Sequence, residues 1–291
     1  MPPSPNADVA AAVARVTGRR PVGWRPARSG YTRLPKWLVE LDDGSSAFVK
    51  ASAGERVGDD LDAELRVYEA VEGDFVPRLV GLVDEDDLRV LVLEDLSEAR
   101  WPPPYPDDVT PLFDALNRLA EVEPPPAIAL LERGEEPRWE QVGRDPEAFL
   151  RLGLCSREWL EGSLAALVEA ERGAVIAGDR LVHNDLYSGN LCFAGDRAVL
   201  VDWAVARRGD PLLDRAFAVL SVRVEGGRLP PLEFPGEASF AALLSGLGAV
   251  EAPLPLPDWA ESGSTLRQDQ AGDLRHSLAW AAETLGLPPP S

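Results

Sequence analysis

The sequence predicts an α+β fold with two lobes: a small β-rich N-terminal lobe with one key helix, and a larger, mostly helical C-terminal lobe. In the first part of the 291-residue chain, apolar and polar residues alternate on both sides of a hairpin turn, a pattern typical of paired strands. After the proline-rich segment 101–108, WPPPYPDD, the patterns are mostly helical. We therefore expect an N-terminal lobe over residues 1–97 and a C-terminal lobe over residues 98–291.

The small lobe is expected to open with a helix and to continue with a strand hairpin. Trp37, Val39 and Leu41 alternate along KWLVEL on one face of a strand, and Asp43-Gly44 is a strong hairpin-turn signal. The elements expected in this lobe are a helix over 7–17, strands over 36–41 and 46–52, a helix over 60–72, and strands over 76–84 and 87–96.

The large lobe is expected to consist of helices, with short strands at the start of its second half. The helices are expected over about 108–122, 156–176, 211–224, 238–247 and 265–285, and the short strands over 180–185, 190–193 and 198–203. A polar loop therefore lies between short apolar strands in this lobe.

The composition indicates a globular, acidic protein. Hydrophobic residues make up 45% of the chain, and the formal net charge of −20 argues against a nucleic-acid partner. The charge suits a cationic ligand, although many proteins are acidic for solubility alone. We see no signal-peptide pattern, no apolar run that could span a bilayer and no paired cysteine motif, so we expect a cytoplasmic protein without a membrane partner. The composition leaves the oligomeric state open.

The polar loop carries the residues that phosphoryl transfer from ATP requires. His183, Asp185 and Asn190 form the pattern H-x-D-x-x-x-x-N, and Asp202 ends the apolar run RAVLV twelve residues later. One carboxylate has to orient the attacking hydroxyl and accept its proton, while an amide oxygen and a second carboxylate hold magnesium against the phosphates. We interpret His183 as a buried hydrogen-bonding group that fixes the loop backbone, because magnesium rarely binds imidazole. The alternative is that these side chains only satisfy turn amides.

The segment LVHNDLYSGNLCF…AVLVDW resembles the catalytic and metal-binding segments of the aminoglycoside phosphotransferase and choline kinase family, which has a protein-kinase-like fold. The resemblance implies that Asp185 is the catalytic base and that Asn190 and Asp202 are magnesium ligands. Tyr187 stands where many relatives carry histidine and Asn184 where glycine is frequent. Both departures bear more on the substrate or subfamily than on activity.

The small lobe offers a lysine and a carboxylate for the nucleotide phosphates. Lys50 ends SAFVK on the return strand of the hairpin and is one of only two lysines in the chain. Glu64 falls inside the apolar stripe of the following helix, where a carboxylate is costly without a partner. We therefore expect a Lys50–Glu64 pair, as a kinase requires; the alternative for Lys50 is a solvated lysine at a strand end.

Two further parts of a nucleotide site are indicated more weakly. The segment ARSGYTRLPKW offers Gly30, Tyr31 and Thr32 as a reduced phosphate-covering loop, although a single glycine between strands is also typical of a plain turn. The strand VLVLEDL is expected to lead into a hinge where backbone groups near Glu94 and Leu96 pair with adenine; the alternative is a plain buried strand.

These observations favour an ATP- and magnesium-dependent phosphotransferase that acts on a hydroxyl of a small molecule. Aminoglycoside-like, amino-sugar-like and choline-like acceptors all remain open, and acidic residues of the helical region 238–285 suit a cationic one or form a solvated helix face. Asp214 is expected to support either the first turn of its helix or a neighbouring loop. The alternative function is a non-catalytic nucleotide- or metabolite-binding module on the same fold.

Overall fold

A computed structural model of the chain describes residues 5–27, 34–53, 60–85, 88–134, 136–260 and 263–291. Within them it shows a sheet-containing N-terminal lobe and a helical C-terminal lobe, as the sequence predicts. In these ranges, no helix is both long and apolar enough to cross a bilayer.

The N-terminal lobe is built on a five-stranded antiparallel sheet. Its elements are α1 (Ala7–Thr17), β1 (Pro21–Pro26), β2 (Lys36–Leu41), β3 (Ser46–Ala53), α2 (Asp60–Ala70), β4 (Leu79–Glu85) and β5 (Leu88–Glu94). The strands lie in the order β1-β2-β3-β5-β4. Each predicted element of this lobe is present, with ends shifted by a few residues.

The two faces of β2 and β3 have different partners. Trp37, Val39 and Leu41 are buried in an apolar cluster that also contains Val9 and Val13 of α1. Because side chains alternate along a strand, Lys36 lies on the opposite face, together with Lys50 of the neighbouring strand. The register pairs Lys36 directly with Lys50. The sheet therefore presents both lysines of the chain to the same side.

The helix α2 joins the sheet to the second lobe. Leu61, Leu65, Tyr68 and Val71 are buried and belong to an apolar core that continues into the helical lobe. Glu64 lies in this stripe and is only 2% exposed. Its helix packs against the short 3-10 turn Trp203–Val205, which directly follows Asp202.

The C-terminal lobe is mostly helical. Its helices are α3 (Thr110–Leu119), α4 (Arg138–Arg144), α5 (Glu147–Leu150), α6 (Arg157–Gly173), α7 (Leu212–Val224), α8 (Glu237–Glu251) and α9 (Leu266–Leu285), and its strands are β6 (Arg180–Val182), β7 (Leu191–Ala194), β8 (Arg197–Leu200) and β9 (Arg207–Gly209). β6 pairs with β9, and β7 pairs with β8.

The predicted elements do not include β1, α4, α5 or β9. The helices α4 and α5 are seven and four residues long and each follows a proline, Pro137 or Pro146, so neither is long enough to show helical periodicity. The strand β9 has three residues, two of them arginine, and is defined by its pairing with a segment more than twenty residues earlier.

The chain between the lobes is tied to the second lobe soon after β5. Arg100 exchanges backbone hydrogen bonds of 2.9 Å with Phe193 of β7, and Tyr105 donates to or accepts from Ser221 of α7 at 2.8 Å. The expected boundary after residue 97 stays a prediction, and these contacts are compatible with it.

Candidate active site

A cleft of about 640 Å³ lies between the sheet and the helical lobe. Side chains of β2, β3, α2, the chain after β5, the polar loop and the start of α9 line it. Its lining includes Lys36, Lys50, Glu64, Glu94, Leu96, Tyr187, Asn190 and Asp202.

Lys50 connects the two lobes at the inner end of the cleft. Its Nζ donates to Glu64 Oε2 at 2.5 Å and to Asp202 Oδ1 at 2.9 Å. The side chains of Lys50 and Glu64 are 5% and 3% exposed, and that of Asp202 is 28% exposed. Burial opposes the charge on Lys50, but the two carboxylates outweigh it and raise the pKa of Lys50. The expected Lys50–Glu64 contact is thus present, and Asp202 completes it.

Lys36 is a residue to which the sequence analysis gave no role. It is 4% exposed, lines the cleft, and its Nζ lies 3.6 Å from Asp202 Oδ2. Lys50 and Lys36 together outweigh the effect of burial on Asp202 and lower the pKa of its carboxyl. A signal for Lys36 existed in the sequence, because a hairpin closed at Asp43-Gly44 brings positions 36 and 50 opposite each other.

Asp185 and Asn190 are joined side by side in the polar loop. Asn190 Nδ2 donates to the Asp185 carbonyl at 2.9 Å and to Asp185 Oδ2 at 3.0 Å. Both donors of the Asn190 amide are used in this way, so its Oδ1 is the atom suited to binding a cation. A 3-10 turn, Ser188–Asn190, holds the residue at the start of β7.

Burial makes Asp185 a weaker acid than an ordinary aspartate. Loss of water is the main cause, the negative charges of Asp202 and Glu251 add to it, and the bond from Asn190 opposes it. Together they raise the pKa of Asp185 to about 7. A carboxyl with this pKa can exchange a proton near neutral pH.

His183 supports the loop from inside the protein. Its ring is fully buried, lies 4.5 Å from the ring of Trp203, and donates from Nε2 to the Val201 carbonyl at 2.8 Å. Burial lowers the pKa of His183 to about 4, so the ring is neutral at pH 7. These contacts connect the start of the loop with the residue before Asp202, in agreement with our interpretation of His183 as a positioning residue.

Asp214 of α7 fixes the same loop through its backbone. Its carboxylate accepts from the His183 amide at 2.6 Å and from the Asn184 amide at 2.8 Å, and the residue is 2% exposed. Asn184 has a left-handed backbone with φ of 66°. Of the two placements expected for Asp214, the structure therefore shows the neighbouring loop.

The expected hinge follows β5. Glu94 Oε1 accepts from the Arg78 amide at 3.1 Å and from Arg197 Nη2 at 3.0 Å. The Leu96 carbonyl accepts from the Ala99 amide at 3.0 Å and from Trp101 Nε1 at 2.9 Å. Because that carbonyl is already engaged, the amide of Leu96 is the group there that suits the adenine edge.

Gly30, Tyr31 and Thr32, the expected phosphate-covering residues, lie outside the described residues. Their role stays a prediction from the sequence. The structure brings together the other expected site residues. Lys50, Glu64, Glu94, Leu96, Asn190 and Asp202 line one cleft, and Asp185 and His183 form hydrogen bonds with two of its lining residues, Asn190 and Val201.

An antiparallel sheet above a helical lobe, with two lysines and two carboxylates at the inner end of the cleft between them, defines a phosphotransferase fold of the protein-kinase type. The chain belongs to the APH family, the phosphotransferase enzyme family, whose model matches residues 23–234. The chain is therefore a phosphotransferase, and the family resemblance and the phosphotransferase class predicted from the sequence are confirmed. No curated protein sequence matches it.

Solved structures of similar fold cover nearly the whole chain. One is a candidate fructosamine-3-kinase from Thermobifida fusca, with a TM-score of 0.54, 24% identity and coverage of 94% of this chain and 99% of that chain. Another is the amicoumacin kinase hAmiN in complex with AMP-PNP, Ca²⁺ and Ami, with a TM-score of 0.52, 13% identity and coverage of 91% and 90%. A third is a choline/ethanolamine kinase family protein from Mesorhizobium loti, with a TM-score of 0.52, 14% identity and coverage of 89% and 92%. The expected protein-kinase-like fold is confirmed.

Proposed function

We propose that the protein transfers the γ-phosphoryl group of ATP to a hydroxyl of a small molecule, with Mg²⁺ as cofactor. The observation that carries the proposal is the contact of Lys50 with both Glu64 and Asp202 inside a cleft that Asn190 also lines. This is the arrangement in which a kinase positions a lysine for phosphate and two oxygen ligands for a metal.

The lining of the cleft suits a nucleotide that extends from the hinge to Lys50. The Leu96 amide is the proposed partner of adenine, while Leu38, Phe48 and Leu93 supply apolar lining. Lys50, held by Glu64, would contact the α- and β-phosphates. A volume of about 640 Å³ lies within the range of small-molecule sites.

Asn190 and Asp202 fit a magnesium ion. One amide oxygen and one carboxylate are the kind of sparse, all-oxygen ligand set that Mg²⁺ accepts when phosphate and water complete its shell. Among the described residues, His, Cys, Asp and Glu form no group of three or more that could hold a metal. When bound, the ion neutralises charge on the phosphates.

Asp185 is the proposed base. Asn190 fixes its Oδ2, and the other carboxylate oxygen is suited to accept a hydrogen bond from the acceptor hydroxyl. The acceptor oxygen forms a bond to the γ-phosphorus while the bond to the β–γ bridging oxygen breaks, ADP leaves, and the acceptor proton passes to Asp185. Because the transition state is loose, this proton moves late.

A cationic acceptor is the version of this function that the surrounding charges support best. Glu225 accepts a hydrogen bond from Ser188 Oγ of the polar loop at 3.0 Å. Its negative charge also contributes to the raised pKa of Asp273 of α9. The negative charge of Glu251 contributes to the raised pKa of Asp185, and Asp269 lines the cleft. Negative charge therefore surrounds the place where the acceptor would bind, which favours an amine-bearing compound.

A mass-spectrometric screen tests the proposed function. The protein is incubated with Mg·ATP and hydroxyl compounds with and without amino groups, including amino sugars and choline-like alcohols. We expect phosphate to be added to at least one amine-bearing compound, and no product when magnesium is chelated.

Thermal unfolding of the same samples provides the control. A ligand present at a concentration 100 times its Kd stabilises a protein by about 2.7 kcal/mol. ATP should therefore raise Tm, and more strongly with magnesium than without it. If ATP raises Tm equally with and without magnesium and no compound of the panel is phosphorylated, the result would instead support a non-catalytic nucleotide-binding module.

The variant Asp273→Asn tests the acidic surroundings of the acceptor. Burial and the charges of Asp269 and Glu225 raise the pKa of Asp273 to about 6. The folded state therefore binds this proton more tightly than the unfolded state, and stability falls as pH rises from about 4 through 6. We expect Asp273→Asn to raise Tm at pH 8 by about 2 °C or more, to raise it by less at pH 5, and to raise KM for a cationic acceptor.

The exposed Asp258 of the same region provides a matched control. Asp258→Asn makes the same change of charge and should leave Tm and KM close to those of the wild type. A lower Tm at pH 8 for Asp273→Asn would contradict the repulsion argument.

A further inference from the structure

We propose that Lys36 is a second phosphate-binding lysine, which contacts the terminal phosphates of ATP while Lys50 contacts the inner ones. This inference rests on the proposed function and assigns a role to a residue outside the segments that carry the family resemblance. It starts from the position of Lys36 on the cleft face of β2, in register with Lys50.

The geometry gives the two lysines separate positions. Lys50 Nζ bonds Asp202 Oδ1 at 2.9 Å, and Lys36 Nζ lies 3.6 Å from Asp202 Oδ2. One carboxylate thus has an ammonium beside each of its oxygens. Glu64 holds Lys50 on its other side, so Lys50 is fixed towards α2, whereas Lys36 lies one strand further from that helix.

The direction of the chain places Lys36 where the terminal phosphates of ATP are expected. Lys36 is the first residue of β2 and directly follows the connection from β1. In protein kinases, the loop before the second strand covers the phosphates, and the lysine of the third strand serves the α- and β-phosphates. A cation at the start of β2 is therefore suited to the β- and γ-phosphates.

The charge balance of the cluster explains why a second lysine is useful. Lys36, Lys50, Glu64 and Asp202 sum to a formal charge of zero, whereas the same cluster without Lys36 would carry −1. Mg·ATP carries a formal charge of −2, and the whole protein carries −20. Lys36 therefore removes a repulsion at the position where the phosphates have to bind.

The burial of Lys36 indicates that the fold holds its side chain in the cleft. Lys36 is 4% exposed although a lysine at a strand end can usually extend into water. Two like charges opposite each other on paired strands are destabilising, and Asp202 offsets this repulsion in the nucleotide-free protein. With a metal ion bound at Asp202, the terminal phosphates would supply negative charge beside Lys36.

The test compares nucleotides that differ in their terminal phosphates. Lys36→Met removes the charge and shortens the side chain by only one atom, and Lys36→Arg restores the charge. Affinities for Mg·ATP, Mg·ADP and AMP are measured by titration calorimetry on the full chain, and Tm without nucleotide reports folding. Arg20→Met, which removes an exposed charge from the same lobe, is the matched control.

We expect Lys36→Met to weaken Mg·ATP binding about tenfold or more, Mg·ADP binding less, and AMP binding hardly at all. Lys36→Arg should recover part of the loss, and Arg20→Met should match the wild type. The inference is overturned if Lys36→Met folds and binds all three nucleotides as the wild type does, or loses affinity for them equally, since Lys36 would then only balance the charge of Asp202. If the wild-type protein binds no Mg·ATP, the proposed function itself fails.

Discussion

Replacing Asp185 with alanine is expected to lower kcat by roughly 10³-fold, within the 10²–10⁴ that a positioned general base contributes. The loss falls on kcat because the acceptor hydroxyl loses the group that orients it and takes its proton. KM for ATP should change little. Asn190 keeps its 2.9 Å bond to the carbonyl of residue 185 when the side chain is removed, so the proposed metal ligand stays in position.

The measurement is steady-state kinetics with the acceptor that the screen identifies, together with calorimetric titration of Mg·ATP. Asp196→Ala provides a control, because this aspartate is exposed in the turn between β7 and β8 and its loss should leave both constants unchanged. Turnover of Asp185→Ala at the wild-type rate would show that another group accepts the proton.

The parts of this fold that could be predicted from the sequence are those in which one element carries its own pattern. The strand β2 alternates between Trp37, Val39 and Leu41 on the buried face and Lys36 on the other. The helix α2 repeats apolar residues with a helical period, and Glu64 interrupts that stripe at a position that is 2% exposed. A buried carboxylate on a periodic helix is a local signal, and it led to the lysine that contacts it.

Contacts between distant segments could not be predicted in the same way. The amide of His183 donates to Asp214, thirty-one residues later. No local pattern distinguishes this carboxylate from one that stabilises its own helix, which is why both placements of Asp214 stayed open. Likewise, the three-residue strand β9 exists only because β6 lies beside it.

For Lys36, the sequence contains a signal for its position but not for its role. The hairpin turn fixes the register, and the register places Lys36 opposite Lys50. What the sequence does not contain is the location of Asp202, which comes from the other lobe and lies 3.6 Å from Lys36. The packing of α2 on the turn after Asp202 helps to bring that carboxylate to both lysines.

Asp202 therefore has two separable roles, and the variant Asp202→Asn is expected to affect both. Loss of its charge should remove the dependence of ATP binding on magnesium and lower kcat below detection, because the carboxylate is the stronger of the two proposed metal ligands. It should also destabilise the nucleotide-free protein by about 1–3 kcal/mol, less than the 3–5 kcal/mol of a fully buried pair, since Asp202 is 28% exposed. Glu64 alone would then face two buried ammonium groups.

The double variant Asp202→Asn/Lys36→Met distinguishes the two roles. Removing Lys36 restores the balance of one lysine and one carboxylate, so the double variant should be more stable than Asp202→Asn alone, with a coupling energy of about 1 kcal/mol or more. Activity should not return, because the metal ligand is still absent. Denaturant unfolding of the four proteins of this cycle measures the coupling, and ADP release measures activity. Additive losses of stability would show that Lys36 and Asp202 do not interact, whereas recovery of activity would remove Asp202 from the proposed metal site.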